Sequence, residues 1–145
     1  MSASGLAVFD RSIQTANVWL DEVMADHGPD RQRAWHILTA VLHALRDRLP
    51  VDLAAHLGAQ LPLIVRGAYY DQFEPSIMPD RSRSADEFIA KVSEGLSGTR
   101  PVDAVDAVKS VFDVLSHYLD PGQIQKVQHA LPEDVRRLWT GATVQ

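Results

Sequence analysis

An all-α fold, built from two tandem, sequence-related repeats of about four helices each around one shared core, is predicted by three observations. First, residues Ala40 to Tyr69 align without a gap on Ser110 to Trp139, at a constant offset of 70. The identical pairs are Val41/Val111, Leu45/Leu115, Leu49/Leu119, Leu61/Leu131, Pro62/Pro132, Val65/Val135 and Arg66/Arg136, and Ala34/Ala104 extends the match upstream. A long period present only twice indicates a duplicated unit rather than a solenoid. Second, Ala34, Leu38, Val41, Leu42, Leu45 and Leu49 fall on one stripe at roughly 100° per residue, the signature of an amphipathic helix. Third, no segment sustains the apolar–polar alternation of a half-buried strand, and no Asn-Gly hairpin turn occurs.

Residues up to about Val8 read as a loose tail. A first helix is predicted over about Asp10 to Ala25, with Ile13, Ala16, Val18, Leu20, Val23 and Met24 as its apolar positions. His27-Gly28-Pro29-Asp30 stops it. The stripe-bearing helix runs from about Asp30 to Leu49. Pro50 opens a helix over about Val51 to Gly58, because proline's fixed φ and missing N–H suit a first turn. Pro62 does the same for about Leu63 to Tyr70. Phe73 to Ser84 holds Pro75, Pro79 and the polar run Asp80-Arg81-Ser82-Arg83-Ser84. It is read as a linker, long enough for a compact domain to imply an exposed crossover with a role of its own.

The second half repeats the first. Helices are expected over Ala85 to Leu96 and Ala104 to Leu119, then about Gly122 to His129, started by Asp120-Pro121. The last is opened by Leu131-Pro132-Glu133-Asp134, whose two acids suit a helix N-terminus. One domain thus spans residues 1–145, with repeat 1 over about 10–72, the linker over about 73–84 and repeat 2 over about 85–140. Two small halves bury proportionally less surface apart than together, which favours a joint core.

At 145 residues, 46% apolar and 23% charged, the chain can bury a real core. It has no cysteine, so disulfides and thiolate zinc sites are excluded, and a cytoplasmic location is expected. The net charge is −5 and neither half is basic, which removes the electrostatic drive for nucleic-acid binding. Met-Ser-Ala-Ser-Gly at the start has no basic run ahead of an apolar one, so no export signal is expected. The longest aliphatic run, Leu61 to Val65, is too short to span a bilayer, and no membrane role is expected.

Three groups of residues are candidate sites. His36, His43 and Asp47 lie about 140° to 180° from the stripe, and repeat 2 places Asp106, Asp113 and His117 at the same positions. His43/Asp47 and Asp113/His117 are i, i+4 pairs, the spacing at which a helix offers two metal ligands; the competing reading is a solvated face with weak local pairs. Arg66 and Arg136 sit early in proline-led helices, suited either to binding a carboxylate or phosphate or to a structural pair with a nearby acid. Tyr69, Tyr70 and Phe73 border the linker. Only Tyr69 has a repeat counterpart, Trp139, so Tyr70 and Phe73 are candidates for a binding patch, with Arg66 as a polar neighbour. Thiol nucleophiles, Gly-x-Ser-x-Gly, phosphate loops and His-Glu-x-x-His are all missing.

The segments Ala34-Trp-His-Ile-Leu-Thr-Ala-Val-Leu-His-Ala-Leu-Arg-Asp-Arg-Leu-Pro50, Ala55-His-Leu-Gly-Ala-Gln-Leu-Pro62 and Val65-Arg-Gly-Ala-Tyr-Tyr70 resemble a bacterial family, domain of unknown function 2267. Thr15-Ala-Asn-Val-Trp-Leu20 resembles it too, and the likeness runs from about Phe9 to Trp139. The resemblance implies an all-helical, stand-alone protein and brings no activity with it. One departure stands out: where the family leads one to expect Gly-Trp, this chain has Gln72-Phe73.

The reading favoured by the sequence is a small cytosolic binding or regulatory module, non-catalytic, with no cofactor, acting on a protein partner or forming a homo-oligomer. The alternatives are a metal-binding or hydrolytic protein using the His43, Asp47, Asp113 and His117 face, and a structural homo-oligomer subunit.

Overall fold

The computed structural model describes residues 4–140, which form eight α-helices and one 3-10 turn, with no strand among the described residues. The first half holds α1 (Ala7–His27), α2 (Arg31–Arg48), α3 (Val51–Gln60) and α4 (Leu63–Tyr70). A crossover containing the 3-10 turn Pro75–Ile77 leads to α5 (Ala85–Gly95), α6 (Ala104–Tyr118), α7 (Pro121–Ala130) and α8 (Glu133–Thr140). Each expected helix is present, and α4 has the expected bounds.

The helix starts follow from their first residues. Asp30, Asp103 and Asp120 each accept a backbone N–H of the turn they open, at Arg33, at Val105 and Asp106, and at Gln123. Ser84 and Glu87 form a reciprocal capping box at the start of α5. These side chains satisfy N–H groups that have no partner inside the helix.

α2 and α6 lie at the centre. α2 packs against α1, α4, α5 and α6, and α6 packs against α1, α2, α5, α7 and α8. Surrounded this way, α2 buries more than its stripe. Ala34, Leu38, Val41, Leu42, Leu45 and Leu49 are all buried as expected, and Ile37, Ala40 and Ala44 join them. Buried side chains from Trp19 to Trp139 form one contiguous hydrophobic cluster. Phe112 stacks on Trp139 with ring centroids 4.1 Å apart, and Phe88 closes the set at 6.3 Å from Phe112.

The N-terminal region differs from the expectation. The tail expected as far as Val8 gives way to helix from Ala7 onward. Ser4 ties the approach to α1, its hydroxyl donating to the Asp10 carboxylate at 2.7 Å. Ile13 and Val18, expected as apolar core positions, are exposed, whereas Trp19 is buried. Leu6, Phe9, Ile13, Ala16, Leu20 and Val23 form a single row at alternating spacings of three and four. Its last three members are in the core; its first three are 51%, 50% and 47% exposed. The row therefore outruns the elements that cover it.

Candidate functional site

The crossover between the halves is fastened by three consecutive residues of α2. Arg46 is only 3% exposed. Its Nη1 donates to the carbonyls of Tyr69 at 2.7 Å and Asp71 at 2.8 Å, and its Nε to the Asp47 carboxylate at 2.8 Å. Its guanidinium also lies 5.8 Å from the centre of the Phe73 ring. Asp47 follows, its backbone carbonyl accepting the Asp80 N–H at 2.6 Å. Arg48 completes the set, with Nε donating to the Ser82 carbonyl at 2.7 Å.

Lys91 of α5 locks the same segment from the other side. Its Nζ lies 2.6 Å from Asp80 Oδ2 and 3.5 Å from Asp47 Oδ2. Burial alone would lower the Lys91 pKa. The Asp80 hydrogen bond and the charges of Asp47 and Asp80 outweigh burial and hold it above its ordinary value. Asp80 shows the mirror balance: burial pushes it up, and Lys91 with the Ser82 N–H pulls it below the usual carboxylate range. Between this fastened segment and the end of α2 lies a groove of about 750 Å³, lined by Arg48, Ile77, Met78, Pro79, Arg81 and Arg83, among others.

Arg46-Asp47-Arg48 was not among the residues singled out from the sequence as a unit. The signal was present, though. At the offset of 70 these residues face Ser116-His117-Tyr118, so neither arginine has a counterpart in the second half. Ser116 instead accepts the Trp139 indole N–H at 2.7 Å.

The aromatic candidates are drawn into this fastening. Tyr69 is fully buried, with its hydroxyl donating to the Ala54 carbonyl at 2.7 Å, so it contributes to the core and offers no surface to a partner. Burial raises its pKa. Tyr70 and Phe73 are half-buried. Tyr70 meets Tyr69 and Phe73 edge-to-face, at centroid distances of 5.1 and 5.2 Å. It also lies over Gly58, where a Cβ would collide with the Tyr70 hydroxyl. Gln72 has φ 63°, the left-handed region that glycine adopts most readily, which gives a backbone reason for the Gly anticipated at this position.

Arg66 and Arg136 both reach backbone carbonyls of the helix before them. Arg66 donates from Nε and Nη2 to the Leu61 carbonyl, at 3.2 and 2.9 Å, and from Nη2 to the Ala59 carbonyl at 3.3 Å. Arg136 donates from Nη2 to Leu131 and His129, at 3.1 and 3.3 Å, and from Nε to Gln128 at 2.9 Å. Each guanidinium thus caps the C-terminal carbonyls of the preceding helix, where a positive charge is favoured.

The His/Asp candidates are split into two places. His43 Nε2 donates to the Ala68 carbonyl of α4 at 2.7 Å, between two shallow grooves of about 430 and 440 Å³. Asp47 belongs to the crossover network. His117 pairs instead with Glu22 of α1, and Asp113 lies near Asp26 and Glu22. Burial raises the Asp113 pKa, Asp26 and Glu22 add to the rise, and His117 opposes it. Asp26 also accepts the Ser110 hydroxyl at 2.8 Å beside a cleft of about 270 Å³. Among the described residues, no group of three or more His, Asp or Glu is arranged to hold a metal ion. No described helix is long and apolar enough to cross a membrane.

A family model described as Uncharacterized conserved protein (DUF2267) matches residues 16–138. The chain belongs to this family. The matched span takes in α2 to α7 entirely, together with the crossover and its fastening residues. A search of curated proteins finds no match.

Proposed function

We propose that this member of the family is a duplicated helical unit acting as a non-catalytic binding or regulatory module in the cytoplasm, with the crossover face as its working surface. The duplication is supported by matching interactions at the offset of 70. Arg66 and Arg136 cap their preceding helices through the same carbonyl positions, Leu61/Leu131 and Ala59/His129. The helix pairings also correspond: α1 packs on α2, α4 and α6, while α5 packs on α6, α8 and α2.

The observation that carries the binding reading is the crossover. A passive connection needs no buried arginine to hold it, yet here Arg46, Asp47, Arg48 and Lys91 fix a segment that the duplicated core does not require. Polar groups held in place by side chains from two helices suit binding, because little ordering remains to be done when a ligand arrives. The runner-up, a His/Asp metal or hydrolytic face, draws no support from pairs that sit against different elements. Self-association is the second reading, favoured by the exposed row Leu6, Phe9 and Ile13.

Affinity capture from the native host, with the full chain as bait, tests the module reading. A component retained by the wild type and by Arg137→Gln on α8, but lost with Ile77→Asp, places binding at the crossover. Identical retention by all three baits refutes that surface. Light scattering of the same preparations, with and without Phe9→Ser, reads self-association separately.

A further inference from the structure

We propose that the crossover groove binds a small organic phosphate, with the phosphoryl group held by Arg48, Arg81 and Arg83 and the apolar body lying on Ile77 and Met78. This rests on the reading of the crossover as a working surface and names the ligand class.

The charge balance around the groove points to an anion. One acid lines it, Asp80; Lys91 engages Asp80 together with Asp47 behind it, and Arg46 engages Asp47. That network is closed and neutral. Arg48, Arg81 and Arg83 all line the groove and none has an acid within ion-pair distance among the described residues. Three uncompensated guanidinium groups along one groove repel each other unless an anion enters. They do so on a chain whose net charge is −5, so this patch runs against the overall sign of the molecule.

The arginine geometry also fits. Arg48 is half-buried, and its Nε is committed to the Ser82 carbonyl at 2.7 Å. That bond fixes the guanidinium while leaving both Nη groups as donors. A planar fork held this way matches a phosphate or carboxylate edge bidentately and loses little freedom on binding. Arg81 and Arg83 are exposed and reach the groove from a backbone held by Asp80 and Ser82.

Size and lining select a small organic molecule. A groove of about 750 Å³ falls within the ordinary range of small-ligand sites, about 300–1,000 Å³. Ile77 is 60% exposed at its edge and has Met78 and Pro79 beside it, an apolar surface that a bare phosphate ion would not use. A long polyanion is disfavoured by the acidic remainder of the chain. Arg48 faces Tyr118 at the offset of 70, so the second half offers no equivalent arginine.

The test is a titration of the full chain, labelled with nitrogen-15, by phenyl phosphate at low salt. Inorganic phosphate and phenol serve as the two halves of the probe. The expected result is a set of amide shifts confined to residues 76–83 and the Arg48 side chain. Phenyl phosphate should bind more tightly than either half, and 0.5 M salt should weaken it by screening. Arg81→Gln/Arg83→Gln should reduce affinity about tenfold or more with an unchanged melting temperature. This double variant is preferred to Arg48→Gln, which also removes the bond to Ser82. Shifts spread over remote arginines such as Arg11, Arg31 and Arg137, or equal affinity in the double variant, would overturn the proposal. So would binding to phosphatidylglycerol vesicles with none to soluble phenyl phosphate. If phenyl phosphate fails while Ile77→Asp still abolishes capture, the crossover remains a binding surface and only its ligand class is wrong.

Discussion

Removing the guanidinium of Arg46 should cost more than removing any other polar group at the crossover. Arg46→Met keeps most of the aliphatic stem and so most of its packing. It strips the donor from two carbonyls, Tyr69 at 2.7 Å and Asp71 at 2.8 Å, and from one oxygen of Asp47. Asp47 is the lesser problem, since Lys91 Nζ remains 3.5 Å from its other oxygen. The carbonyls therefore dominate. Each acceptor left unmade costs about 1–3 kcal/mol, giving about 2–6 kcal/mol for the pair, toward the lower end because the Asp71 carbonyl is only part-buried. That is a large share of the ~5–15 kcal/mol by which a domain of this kind is stable. Urea denaturation at pH 7 measures the loss, and hydrogen exchange at the Asp80 N–H, bonded to the Asp47 carbonyl at 2.6 Å, reports whether the crossover loosens first. Ser116→Ala, at the matching position, removes one acceptor from Trp139 and should cost only about 1 kcal/mol. A loss below about 1 kcal/mol for Arg46→Met, with Asp80 exchange unchanged, would refute the idea that Arg46 holds the crossover.

Two further outcomes are expected. Leu45 and Leu115 are both 0% exposed at equivalent positions, so truncating either to Ala should cost about 2–5 kcal/mol. Each variant should still unfold in one transition by fluorescence and circular dichroism alike; two transitions would mean the halves unfold separately. Asp113→Asn should raise the urea midpoint at neutral pH. The folded-state pKa of Asp113 lies above its ordinary 3.8, so the native state favours the protonated form and the ionised carboxylate is destabilising at any higher pH. The penalty fades as pH falls through the folded value, so the advantage of Asn should shrink there. A gain independent of pH would show that ionisation is not the cause.

Much of the fold was legible because helical periodicity and proline placement are local signals. The stripe from Ala34 to Leu49 is buried along its whole length, and Pro62 places α4 where expected. α1 is less legible. Its apolar row is continuous from Leu6, but sequence spacing cannot tell how far the neighbouring helices extend to cover it. The site was legible only in outline. Phe73 to Ser84 stood out as too long and too polar for a plain connection. What held it was hidden in α2, where Arg46 and Arg48 look like ordinary surface charges.

By itself the sequence determined the helical class, the order of the elements and the family, because each depends on residue type and spacing along the chain. The tertiary structure decided the roles. Arg66 became a helix cap, Tyr69 a core side chain, and His43 and His117 members of separate surfaces. It also separated the paired charges from the unpaired ones. Arg46 and Lys91 spend theirs on Asp47 and Asp80, while Arg48, Arg81 and Arg83 keep theirs facing a groove. That division depends on distances between groups far apart in sequence, which only the packing of α2, α5 and the crossover sets.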